Sequence, residues 1–138
     1  MRALVTLSVF PAPFSPEAAA ALGVADALPR LRRRSFLARR PDGDLALYDG
    51  IRTWARARAR ADGVWADATR AHARWLATAP DAERRQADLV QAVQEGAGEH
   101  LRVLVSALLK SAAYRGPVTR MRDVFEPLLR PTCRRATG

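Results

Sequence analysis

One short stretch limits what this chain can fold into. Pro41-Asp42-Gly43 lies between two runs with apolar residues, Phe36–Arg40 and Asp44–Tyr48. Asp-Gly between such runs is a strong local hairpin signal, because Gly adopts the left-handed backbone that a tight turn needs. No other stretch reads as β structure. Everything after Gly50 reads as helix, so a sheet-based fold is excluded and the hairpin must serve as an accessory to helices.

Punctuation upstream and downstream marks the helices. Ser15-Pro16-Glu17 is a helix start, with Ser as N-cap and Pro in the first turn, and Gly23 is a stop. Asp26 is placed to cap a helix through Leu28 and Leu31, with Pro29 in its first turn. The stretch Ala3–Phe10 reads as a first amphipathic helix with Leu4, Leu7 and Phe10 inward, in preference to a signal peptide. After the hairpin, Ile51 and Trp54 are expected inward on a helix to Ala61, with Arg52, Arg56 and Arg60 outward. Trp65, Ala68, His72 and Leu76 form the next helical stripe. Ala79-Pro80-Asp81 is the clearest boundary: Pro stops one helix and Asp can cap the next. Ala82–Glu95 then carries Leu89, Val90 and Val93. Leu101, Leu104, Val105, Leu108, Leu109 and Ala112 follow as an amphipathic stripe. Val118, Met121, Phe125 and Leu128 make a last one, after Gly116-Pro117.

The fold class expected is therefore mainly α. Three helices and a two-stranded hairpin form a winged helix over 1–78, followed by an antiparallel helical-repeat segment over 81–130 and a frayed tail, 131–138. The single cysteine, Cys133, leaves no intramolecular disulfide framework, so 138 residues must hold together by burying apolar surface. No apolar run reaches the length of a membrane span, and a cytoplasmic location is expected.

Residue order and spacing resemble a known family. Leu7-Ser8-Val9-Phe10, a turn, Phe14 and Glu17-Ala18-Ala19 look like the opening of the winged helix of bacterial STAND signalling ATPases, the AfsR- and LuxR-type relatives of the NB-ARC proteins. The family's two turn glycines are replaced here by Ala12-Pro13. Leu28-Pro29-Arg30-Leu31, Ser35-Phe36-Leu37 and the hairpin match next. Leu47-Tyr48-Asp49-Gly50-Ile51-Arg52-Thr53-Trp54-Ala55 is similar to the family's Leu-Leu-Glu-Thr-Ile-Arg-Glu-Tyr-Ala, and Ala71-His72-Ala73-Arg74-Trp75-Leu76 to its Arg-His-Ala-x-Tyr-Leu. Residues 82–130 look like the start of its tetratricopeptide-like array.

The resemblance implies a non-enzymatic regulatory, protein-interaction module: a relay that holds a nucleotide-bound switch closed. Its partner would be an ATPase domain in trans, or a second copy through the helical segment. A phosphate-binding loop of the form G-x-x-x-x-G-K-S/T is absent from the sequence. Lys110 precedes Ser111, but no glycine loop leads into it. Tyr48 and Asp49 fall where NB-ARC relatives carry a nucleotide-sensing Met-His-Asp. A neutral Tyr hydroxyl cannot become a cation as His can, and the plainer expectation is that Asp49 caps the next helix. No cofactor and no metal are expected.

The net charge is +9, from 22 Arg and one Lys against 14 acids. Arg30, Arg32, Arg33, Arg34, Arg39 and Arg40 put six positive charges between positions 30 and 40, with no acid among them. On a winged helix this is the third helix and the wing, so the patch is a candidate surface for DNA or for an acidic partner. A stand-alone DNA-binding transcriptional regulator is the alternative function. Base-reading helices usually add Asn, Gln, Ser or Lys, and only Ser35 is near. His72 is expected as a packed core residue, His100 at the surface, and Trp54, Trp65 and Trp75 in core packing. No metal-ligand spacing or nucleophile motif joins the two histidines to a catalytic set.

Overall fold

The computed structural model describes residues 2–95 and 97–115, with side chains to Ala113. The expected stripe Val118–Leu128 and the tail with Cys133 lie outside the described residues. Helix dominates, and the described β structure is one two-stranded antiparallel sheet plus an isolated bridge. The order is α1 (Arg2–Leu7), α2 (Pro16–Ala21), α3 (Leu28–Arg33), β1 (Leu37–Arg39), β2 (Leu45–Leu47), α4 (Asp49–Ala61), α5 (Trp65–Thr78), α6 (Gln86–Gln94) and α7 (Leu101–Arg115). Single 3-10 turns precede α3, α6 and α7.

The turn chemistry works as the sequence implies at two places. Ser15 accepts the Ala18 N–H at 3.1 Å and starts α2. Gly43, at φ +90°, closes the hairpin, and Asp42 Oδ1 accepts the Asp44 N–H at 3.0 Å. The hairpin pairs Leu37 with Leu47 and Arg39 with Leu45. Phe14, in the link between α1 and α2, exchanges two backbone hydrogen bonds of 2.8 Å with Leu45. The small sheet is thereby fastened to the helices.

Two buried apolar clusters follow from the stripes. The first gathers Leu4, Leu7, Phe10, Phe14, Leu31, Leu37, Leu45, Leu47, Ala55 and Ala68. The second gathers Ala73, Leu76, Leu89, Val93, Leu104 and Leu108. Helix α5 contributes to both, and Trp75 packs against each. Phe10 lies beyond the end of α1, buried, stacked on Phe14 at 4.6 Å and edge-on to Trp75.

Several expectations fail on helix faces and caps. Trp54 is not inward; it is 47% exposed. Arg56, expected outward, turns inward and is half-buried. The reason is that the innermost line of α4 is Ala55 and Ala59, both fully buried. With Ala55 and Ala59 as the inward line, Trp54 lies about 100° round the helix from Ala55, toward solvent. Asp49 does not cap α4. It stands in the first turn and pairs with Arg52 at 2.8 Å, while Tyr48 occupies the N-cap without a side-chain bond. Asp26 sits inside the 3-10 turn Ala25–Ala27, and α3 starts from Ala27 with no side-chain cap. Asp81 likewise makes no cap bond; it pairs with Arg85 at 3.1 Å. The segment Ala82–Glu95 is a 3-10 turn followed by α6. On α7 only Leu104 and Leu108 of the expected stripe are fully buried, and Leu109 is 55% exposed.

Candidate binding surface

Helix α3 is two turns long, and its arginines cluster toward its C-terminal end. Arg30, Arg32 and Arg33 lie on the helix and Arg34 is its C-cap. Positive charge there complements the partial negative charge of the last carbonyls. The chain leaves α3 through Ser35 at φ +62°. The Ser35 N–H donates to the Arg32 carbonyl and the Phe36 N–H to that of Leu31, both at 3.0 Å. This is a Schellman termination with a non-glycine residue in the left-handed position. Phe36 packs back on the core, and Leu37 carries the chain into β1. Arg39 and Arg40 follow at the end of β1 and its turn.

All six arginines of the patch are exposed. None forms an ion pair with an acid among the described residues. Arg40 also lines a polar cleft of about 630 Å³ between the hairpin turn and the entry to α6, opposite Asp81 and beside Asp42 and Asp44. Exposed guanidinium groups without acid partners offer planar forks of donors to carboxylates or phosphates. Base reading is a poorer fit. Recognition helices present their N-terminal residues to base edges, and the first turn of α3 begins Leu28-Pro29. Ser35, the nearest base-reading side chain, sits in the turn that ends the helix.

The other singled-out residues are placed as follows. Tyr48 is 51% exposed at the hairpin exit, and the Asp49 carboxylate is engaged by Arg52. His72 is fully buried, with Nε2 2.8 Å from Asp88 Oδ1 and its ring edge-on to Phe10. Asp88 is itself 2% exposed. The pair is sealed from any solute and has the geometry of a structural clasp between α5 and α6. His100 ends the turn before α7, 3.6 Å from Glu99. Lys110 lines a groove with Leu76, Pro80 and Val103. Trp65 and Trp75 are partly buried and carry guanidinium groups over their rings: Arg60 lies 4.5 Å from the Trp65 centroid and Arg85 5.0 Å from that of Trp75. Among the described residues no cluster of three or more His, Cys, Asp or Glu side chains could hold a metal ion, and no helix is long and apolar enough to cross a membrane.

The polar residue that sequence reading missed is Arg56. Its Nε donates to the Ser8 carbonyl at 2.7 Å, and its Nη2 to the Val9 carbonyl at 3.3 Å and to Gln91 Oε1 at 2.7 Å. Gln91 in turn donates to the Val9 carbonyl. Burial, then the like charges of Arg52 and Arg60, lower the Arg56 pKa from its ordinary value. Asp88 was legible in principle: it is an acid one residue before Leu89 on the inward side of α6. Nothing local marks Arg56 among the four arginines of its helix. No family model, curated protein or solved structure matches the chain. What the structure itself defines is a mainly helical protein with a small two-stranded sheet and six exposed arginines between positions 30 and 40.

Proposed function

We propose that the chain is a non-enzymatic regulatory interaction module of winged-helix type, followed by a short helical-repeat piece. The basic surface on α3 and β1 docks against an acidic protein partner. The observation that carries this reading is the arginine patch: six exposed guanidinium groups on one helix end and one strand, none paired with a described acid. The order of three helices and a hairpin supports the winged-helix assignment, as does the Phe14–Leu45 bridge that ties the wing to the helical core. In the resembled signalling ATPases this element works as a relay against the nucleotide-binding domain. The exposed Tyr48, in place of a histidine, suits a surface contact better than a phosphate sensor.

A stand-alone DNA-binding regulator is the second reading, favoured by the patch spanning both helix and wing. Titration separates the two. A fluorescent polyglutamate peptide and a mixed-sequence DNA duplex are each titrated with the chain over a range of salt. A triple variant, Arg30→Glu, Arg33→Glu, Arg34→Glu, is compared with a charge-matched control reversed at Arg2, Arg70 and Arg102. The proposal expects the patch variant to lose peptide binding on the order of tenfold more than the control. Equal loss in both variants refutes the patch. Tighter binding to the duplex, with a steep salt slope, moves the reading to DNA.

A further inference from the structure

A groove of about 470 Å³ runs along α6, with Arg56 and Glu95 both on its walls. These opposite charges do not form an ion pair with each other. Arg56 uses Nε and Nη2 on the Ser8 and Val9 carbonyls and on Gln91 Oε1, all of them neutral acceptors. Its Nη1 has no hydrogen-bond partner among the described residues. Glu95 accepts the Trp65 indole N–H at 3.3 Å through Oε2, and its Oε1 has no described partner either. The Arg56 guanidinium lies 5.5 Å from the centroid of the same indole, so both charges sit around one ring. Gln86, on the same groove, keeps its amide nitrogen buried without an acceptor. Pro11, Ala87 and Val90 supply an apolar wall.

A half-buried cation held only by neutral acceptors loses hydration without gaining a counter-charge. Burial and the like charges of Arg52 and Arg60 weaken the protonated form of Arg56, and Glu95 acts in the opposite sense. A carboxylate delivered to Nη1 offsets that cost and also offers the buried Gln86 amide an acceptor. An anion with no positive group meets Glu95 on the same wall and is repelled by it. A ligand that carries both signs satisfies both walls.

We propose that this groove binds a small zwitterion, a free amino acid or a dipeptide with an apolar side chain. Its carboxylate accepts from Arg56 Nη1 and from the Gln86 amide. Its ammonium donates to Glu95 Oε1. Its side chain lies on Pro11, Ala87 and Val90. One or two residues of chain, at about 3.5 Å each with a hydrogen bond at either end, bridge charges placed around one indole. Three polar contacts and a short apolar wall support binding on the order of millimolar. The groove is separate from the arginine patch, so binding here and binding to polyglutamate succeed or fail independently.

Titration of the isotope-labelled full chain, followed by NMR at the tryptophan indole N–H groups, tests the proposal. Trp65 donates to Glu95, so its signal reports the groove, and the exposed Trp54 serves as the internal control. L-Leucine and the dipeptide alanyl-leucine are the probes, and the tighter of the two fixes the length of the ligand. Isopentylamine lacks the carboxylate, and isocaproate lacks the ammonium. At least one zwitterion should shift the Trp65 signal saturably while that of Trp54 stays in place. Isopentylamine and isocaproate should each bind on the order of tenfold or more weakly. Glu95→Gln keeps an acceptor for the Trp65 indole and removes the charge. It should weaken zwitterion binding on the order of tenfold, whereas Asp67→Asn, at an exposed acid of α5, should not. Three results overturn the proposal: no saturable shift with either zwitterion up to its solubility, a half-ligand that binds as tightly as the zwitterion, or a Glu95→Gln chain that binds unchanged.

Discussion

The arginines on and just after α3 and β1 and the two packed inward, Arg56 on α4 and Arg85 before α6, are chemically identical and behave oppositely. Arg30, Arg32, Arg33, Arg34, Arg39 and Arg40 stand in solvent with no described acid paired to them. Arg56 lies half-buried, donating to two main-chain carbonyls and to Gln91, and Arg85 is held between Asp81 and the Trp75 ring. Surroundings account for the difference. The loop Ser8–Pro11 leaves α1 with its carbonyls turned toward α4, and a buried carbonyl without a donor is costly. Arg56 satisfies two of these carbonyls and joins the loop to α6. The outer arginines meet no such need, so their charge remains available for a partner.

The contrast makes the inner polar contacts structural and the outer ones dispensable for folding. The largest effect belongs to the buried His72–Asp88 clasp. Asp88→Ala leaves the His72 ring nitrogen buried without its partner and should cost about 3–5 kcal/mol in urea denaturation. A cost under about 1 kcal/mol would mean that the interior polar contacts do not hold the two apolar clusters together. Arg56→Ala comes next, at about 2 kcal/mol, since it removes donors from three oxygens at once. Arg56→Lys should recover less than half of that, because an ammonium cannot span the same fork. The patch triple variant described above should unfold within about 1 kcal/mol of wild type. If it proved as damaging as Arg56→Ala, the distinction between the two groups would collapse.

The smallest expected effect is a gain. Ser35 holds the left-handed position at the end of α3, where glycine is unstrained. Ser35→Gly should stabilise the fold by roughly 0.5–1 kcal/mol by thermal melting. Polyglutamate binding should stay unchanged if Ser35 only ends the helix. Weaker binding would show that this residue belongs to the surface itself.

Element order was readable because its signals are local. Ser15-Pro16, Pro41-Asp42-Gly43 and Gly23 act through their own backbone, and the structure uses each where the sequence put it. The exposure of the six arginines between positions 30 and 40 was readable as well, since charged side chains without a buried partner stay in water. Caps based on aspartate were not. Asp26, Asp49 and Asp81 each stand near a helix start, but a carboxylate bonds whichever donor lies closest, and for Asp49 and Asp81 that is an arginine one turn on.

What the sequence determined by itself is the mainly helical class, the hairpin at residues 37–47, and where the exposed arginines between positions 30 and 40 lie along the chain, all properties of neighbouring residues. Which face of α4 turns inward was decided only by tertiary packing. Trp54 and Ala55 are adjacent, and hydrophobicity alone assigns the core to the tryptophan. The structure instead buries Ala55 and Ala59 completely. The carbonyls of Ser8 and Val9, forty-seven and more residues away in sequence, then draw Arg56 inward and leave the indole in solvent.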